Sequence, residues 1–66
     1  MKLVVNGKAR DFEGPATLTG LIAALGLDAS TLVVEHNGEL VRREDHGSRL
    51  LREGDRLELV RFVGGG

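Results

Sequence analysis

Only one stretch of this chain has the apolar spacing of a helix, and it is too short to stand alone. Leu18, Leu21, Ile22 and Leu25 recur at helical intervals and fall on one stripe. Thr17 precedes them as a candidate N-cap, and Gly26 is placed to end the helix in a left-handed conformation. Such a helix is marginal in water. It has to dock its stripe on a sheet, so the rest of the chain must supply one. Gly20 costs roughly 1 kcal/mol against alanine in a helix interior. It falls opposite the stripe, where packing does not forbid it.

The strand signals lie on both sides of that helix. Lys2-Leu3-Val4-Val5 and Lys8-Ala9-Arg10-Asp11-Phe12 flank Asn6-Gly7. An Asn-Gly pair suits a type I′ turn, which needs positive φ at both central residues, so residues 2–13 are predicted to form a hairpin. Gly14-Pro15 breaks that pattern. Leu32-Val33-Val34-Glu35-His36 is a third strand, and Asn37-Gly38 turns it towards Leu40-Val41. Residues 42–49 are polar and irregular, with Leu50-Leu51 expected to return to the core. Glu53-Gly54-Asp55 is a turn, and Arg56 to Val63 is the last strand.

Strands before and after a single helix imply an α+β fold, with the helix on one face of a mixed sheet of four to five strands. The first and last strands would lie side by side and parallel. That is the β-grasp, or ubiquitin-like, arrangement. The expected core is Leu3, Val5, Leu18, Leu21, Ile22, Leu25, Val33, Leu50, Leu57 and Leu59.

Sixty-six residues make one domain. A domain of this size buries only about 60% of its unfolded surface, which leaves little room for a deep catalytic pocket. There is no cysteine, so no disulfide staples the fold and no thiolate chemistry is available. Small secreted domains usually carry disulfides, which points this chain to the cytoplasm. No apolar run approaches the roughly 20 residues that span a membrane, and no signal-peptide pattern opens the chain. The net charge of −1, with two Phe and no Tyr or Trp, argues against nucleic acid, which needs a basic field and stacking platforms.

The last strand and the glycines behind it are the informative part. Leu57 and Leu59 share one face by the period-2 rule, and Val60 and Phe62 share the other. If the leucines face the helix, Val60 and Phe62 point to solvent and form a candidate partner-binding surface. Isolated exposed apolar residues are also common and need no function. Gly64-Gly65-Gly66 ends the sequence directly behind that strand. Glycine there adds nothing to stability, and residues 64–66 are expected to form a flexible tail on a domain spanning residues 1–66. Three extended glycines reach about 10 Å. They could thread a partner's channel too narrow for any side chain and deliver the carboxylate of Gly66 to an active site. The plain alternative is a frayed end or a cloning remnant.

Taken together, the ending Val60-Arg61-Phe62-Val63-Gly64-Gly65-Gly66, the opening Val5-Asn6-Gly7-Lys8, the central Val34-Glu35-His36-Asn37-Gly38 and the run from Leu51 to Glu58 resemble the ThiS family, sulfur carriers of thiamine biosynthesis. The resemblance covers essentially the whole chain. It implies that a ubiquitin-activating-like enzyme adenylates the Gly66 carboxylate. Sulfur from a cysteine desulfurase relay then replaces the adenylate to leave a thiocarboxylate, and thiazole synthase takes that sulfur. On this reading the chain is a protein co-substrate and not an enzyme. It binds no cofactor, and ATP and its metal belong to the activating partner. The residues agree, because no Gly-rich nucleotide loop is present. With no cysteine, any carried sulfur must sit on the main chain.

Other readings remain open. The same architecture could serve another pathway, as in the small subunit of molybdopterin synthase, or a ubiquitin-like modifier joined to target lysines through Gly66, or an interaction domain with an inert tail. His36 and His46, with Glu35, Glu44 and Asp45 nearby in sequence, admit a metal or acid–base reading. Two surface histidines are the default expectation. Arg43, Arg49 and Arg61 are candidate docking charges.

Overall fold

The computed structural model describes residues 1–63. Strands β1 (Lys2–Val5) and β2 (Lys8–Asp11) are followed by helix α1 (Leu18–Ala24). Strands β3 (Leu32–His36), β4 (Glu39–Val41) and β5 (Arg56–Arg61) complete the chain, with short 3-10 turns at Ala29–Thr31 and Arg43–Asp45. The sheet order is β2-β1-β5-β3-β4. Strand β5 is central, parallel to β1 and antiparallel to β3. This is the β-grasp arrangement expected from the order of strand and helix signals.

Both Asn-Gly turns have the expected backbone. Asn6 and Gly7 have φ of 50° and 80°, and Asn37 and Gly38 have 52° and 85°. The asparagines also reach across to β5. Asn6 Nδ2 donates to Leu59 O at 3.1 Å, and Leu59 N–H donates to Asn6 Oδ1 at 2.7 Å. Asn37 Oδ1 accepts from Arg56 N at 2.8 Å. Each side-chain amide therefore continues the ladder beside the central strand where its own strand has ended.

Thr17 caps α1, accepting from Gly20 N–H at 3.0 Å. At the other end Gly26 takes φ of 70°. The Gly26 and Leu27 N–H groups bond to Ala23 O and Ile22 O, which closes the helix in a Schellman motif. Leu18, Leu21 and Ile22 are buried, and Leu25 packs partly against the core. Gly20 is not merely tolerated. A β-carbon there would overlap the Pro15 carbonyl oxygen, so the close approach of the preceding turn requires glycine.

Two expected core residues are corrected. Val33 is 40% exposed and Leu50 is 65% exposed, while Val34 and Leu51 are buried in their place. In β3 the alternation puts Leu32, Val34 and His36 inside and Val33 and Glu35 outside. An isolated bridge between Thr17 and Leu50, with Leu51 N–H bonded to Ala16 O at 2.9 Å, turns Leu51 inwards. Phe12, Leu32 and Val41 complete the core. The Phe12 ring sits so close to Gly14 that a β-carbon there would come within 2.8 Å of it. No helix among the described residues is long and apolar enough to cross a membrane.

Candidate functional site

The glycines follow strand β5, which is paired on both sides. Strand β5 pairs with β1 at Arg56 and Leu57 and with β3 from Leu57 to Arg61. The Asn6 amide then covers Leu59 on the β1 side. Among the described residues the last main-chain bond is Phe62 N–H to Thr31 O at 2.9 Å. Thr31 is itself held by the turn over Asp28, whose carboxylate accepts from Ser30 N–H at 2.9 Å and Ser30 Oγ at 2.7 Å. These bonds hold the Asp28 carboxyl below the usual carboxylate range, the serine hydroxyl first and its N–H second. The strand is therefore anchored as far as Phe62. Val63 is 96% exposed. The Gly64-Gly65-Gly66 tail lies outside the described residues.

The two faces of β5 are divided as expected. Leu57 and Leu59 are buried, and Val60 and Phe62 are 55% and 44% exposed. Val33 stands opposite Val60 in the ladder, so it adds to the same exposed apolar face. Leu40, paired with Glu35, lies on that face one row away. Sequence reasoning missed Val33 by assigning it to the core. The missing signal was Glu35, which two residues on must share Val33's side of the strand and cannot be buried unpaired.

The histidines correct a second expectation: both are buried. His36 Nε2 lies 2.7 Å from Asp55 Oδ2, and Arg49 Nε donates to His36 Nδ1 at 2.8 Å. A guanidinium can only donate, so Nδ1 accepts and the ring proton sits on Nε2, facing Asp55. Arg49 also pairs with Glu39. Asp55 accepts from Asn37 Nδ2 at 3.0 Å and from Arg52 N–H at 2.8 Å. Burial pushes its carboxyl up. The bonds from Asn37, His36 and Arg52 outweigh that and hold it below the ordinary value. Both ring nitrogens of His36 are thus occupied by structural partners, and the cluster ties β3, β4 and the approach to β5 together. His46 bonds through its main chain, to Thr19 N–H at 3.3 Å and Arg43 O at 3.2 Å. Its buried Nδ1 has no partner among the described residues. The contacts of His36 serve the fold.

Comparison with known proteins agrees with that geometry. A family model described as "ThiS family" matches residues 3–66. The sulfur carrier protein ThiS of Bacillus subtilis (strain 168) is 34% identical over 65 residues, covering 97% of this chain and 98% of that protein. A thiazole synthase of Paramagnetospirillum magneticum is 41% identical over 66 residues. This chain spans 20% of the length of that thiazole synthase. The crystal structure of a thiamine biosynthesis protein (ThiS) from Geobacter metallireducens superposes with a TM-score of 0.84 at 38% identity, each chain covered in full.

Proposed function

Because the chain belongs to the ThiS family, we propose that it carries sulfur for the thiazole half of thiamine, and does so as a protein co-substrate without catalysing the transfer. The reactive group is the carboxylate of Gly66. A carboxylate is a poor electrophile, since its charge and resonance repel nucleophiles. A ubiquitin-activating-like partner, using ATP and a metal, converts it to an acyl adenylate. A persulfide of a cysteine desulfurase relay attacks the adenylate and displaces AMP to give an acyl disulfide, and a second thiol of the relay cleaves that S–S bond, releasing the thiocarboxylate and leaving the relay as a disulfide. Thiazole synthase then accepts the sulfur. Relatives named thiazole synthase that contain a domain like this one within a longer chain support that acceptor.

The observation that carries the reading is the end of β5. It is pinned to the sheet through Phe62, and Val33, Val60 and Phe62 form an exposed apolar face beside the exit. That face docks the body against the partner, and Gly64, Gly65 and Gly66 reach into its active site. Intact mass after incubation with the activating enzyme, ATP and a sulfur source tests it. The expected product is heavier by the exchange of one oxygen for sulfur, and deletion of Gly65-Gly66 abolishes the gain. An unchanged mass of the full chain overturns the proposal. High-mass conjugates would identify a protein modifier instead.

A further inference from the structure

Strand β2 ends the sheet and has no neighbouring strand on its outer side among the described residues. All four of its residues are exposed. The hairpin register decides what each edge carries. Phe12 N–H donates to Met1 O at 2.8 Å, and the Met1 ammonium donates to Phe12 O at 3.1 Å. Such bonded pairs alternate along an antiparallel ladder. With Leu3 opposite Arg10 and Val5 opposite Lys8, the main-chain groups of Lys8, Arg10 and Phe12 point at β1. Those of Ala9 and Asp11 point outwards along the free edge.

The side chains of Lys8 and Arg10 share the face of the buried Leu3 and Val5. They therefore stand on the helix side of the sheet. Two clefts of about 310 and 360 Å³ lie there, the first between β2 and α1 and the second between the β1–β2 hairpin and the segment that follows α1. Arg10 and Leu25 line both. Phe12 and Leu21 contribute to one, and Leu27 and Leu59 to the other. Neither Lys8 nor Arg10 forms an ion pair among the described residues. Asp11, on the opposite face, is paired with Lys2 at 3.1 Å.

We propose that this edge and groove dock an extended acidic and apolar peptide segment of a partner protein, which adds to β2 as a further strand. The outward main-chain groups of Ala9 and Asp11 supply the ladder bonds. Apolar side chains of the segment settle against Leu25 and Leu27, and its carboxylates meet Lys8 and Arg10. Edge cations alone block unwanted pairing, but a blocked edge has no need of apolar clefts beside it. A second copy of this chain does not fit. Antiparallel pairing of β2 with itself sets Arg10 against Arg10 or Lys8, or Asp11 against Asp11, according to register, and like charges directly opposite are destabilising. The site involves neither the exposed face of β5 nor the chain end, so its failure would leave the sulfur-carrier reading standing.

The test is an amide NMR titration of the full chain with an acetylated nine-residue peptide that carries valine and glutamate in turn at its odd positions, with threonine between, so that both residue types share one face of the added strand. Shifts are expected at Ala9, Asp11, Leu25 and Leu27, with slowed hydrogen exchange at the Ala9 and Asp11 amides. The double variant Lys8→Glu, Arg10→Glu should bind about tenfold more weakly or worse, with its remaining spectrum unchanged. Ala9→Pro removes an outward N–H and no hairpin bond, and should also weaken binding. The same peptide with lysine in place of each glutamate should not bind. Absence of shifts at millimolar peptide overturns the proposal. So do shifts confined to Val33 and Val60, equal binding of the lysine peptide, or undiminished binding by the double variant.

Discussion

Replacing Gly20 with alanine is expected to destabilise the protein, although alanine is the better helix former. Propensity favours the exchange by about 1 kcal/mol. The added β-carbon, however, overlaps the Pro15 carbonyl oxygen and comes within 3.1 Å of the Pro15 β-carbon. Pro15 is not free to retreat. Its ring fixes φ, and its carbonyl accepts from Thr17 N–H at 2.8 Å. Thr17 in turn caps the helix through Gly20 N–H. Overpacking of this kind costs roughly 1–3 kcal/mol, and stretching the Thr17 bond adds about 1 kcal/mol. The propensity gain offsets only part of that, for a net loss of about 1–3 kcal/mol. In a domain of this size each kcal/mol lowers the melting temperature by roughly 4–8 °C. Urea unfolding followed by far-UV circular dichroism measures the loss directly. Gly47→Ala is the control, since a β-carbon there meets only Thr19 Oγ1 at 3.7 Å, and it should stay within about 0.5 kcal/mol of the parent. A Gly20→Ala protein as stable as the parent, or more so, would refute the packing argument.

Asn6→Ala should cost about 2–4 kcal/mol in the same assay. It removes both amide bonds to Leu59 and leaves a β-carbon at positive φ. Asn6→Gly keeps the turn and should lose only the hydrogen-bond part, so equal losses for the two would contradict the division. Asp55 gives stability a pH dependence of definite sign. Its carboxyl is held below the usual value in the fold, so its contribution is fully present above the unfolded value of about 4 and is lost as pH falls through the lower folded value. The melting-temperature gap between the parent and Asp55→Asn should therefore narrow from pH 5 to pH 2, and a gap that widened would reverse the sign. Phe62→Asp and Val60→Asp should leave melting nearly unchanged, because both side chains are about half exposed. They should weaken capture by the activating enzyme about tenfold or more; unfolding would mean that this face supports the core instead.

Much of the candidate site was legible because strand periodicity is a local property. The division of β5 into buried Leu57 and Leu59 and exposed Val60 and Phe62 follows from their spacing alone. Val33 was hidden by the apolar run Leu32-Val33-Val34, although Glu35, two residues on, marks its side of the strand as the outer one. Its place opposite Val60 is set by the β3–β5 register. His36 and His46 could not be assigned to the interior from their neighbours. Burying a histidine depends on partners distant in the chain, here Arg49 and Asp55 for His36.

What the residues determined by themselves was whatever depends on backbone preference over a few positions. That covers the two Asn-Gly turns, the Thr17 cap, the Gly26 stop and hence the order of strands and helix. The tertiary structure alone decided that Leu51 and not Leu50 turned inwards. It alone made Gly20 obligatory through Pro15 and brought the amides of Asn6 and Asn37 onto the central strand. Each of these turns on the distance between residues remote in sequence, which only a packed chain defines.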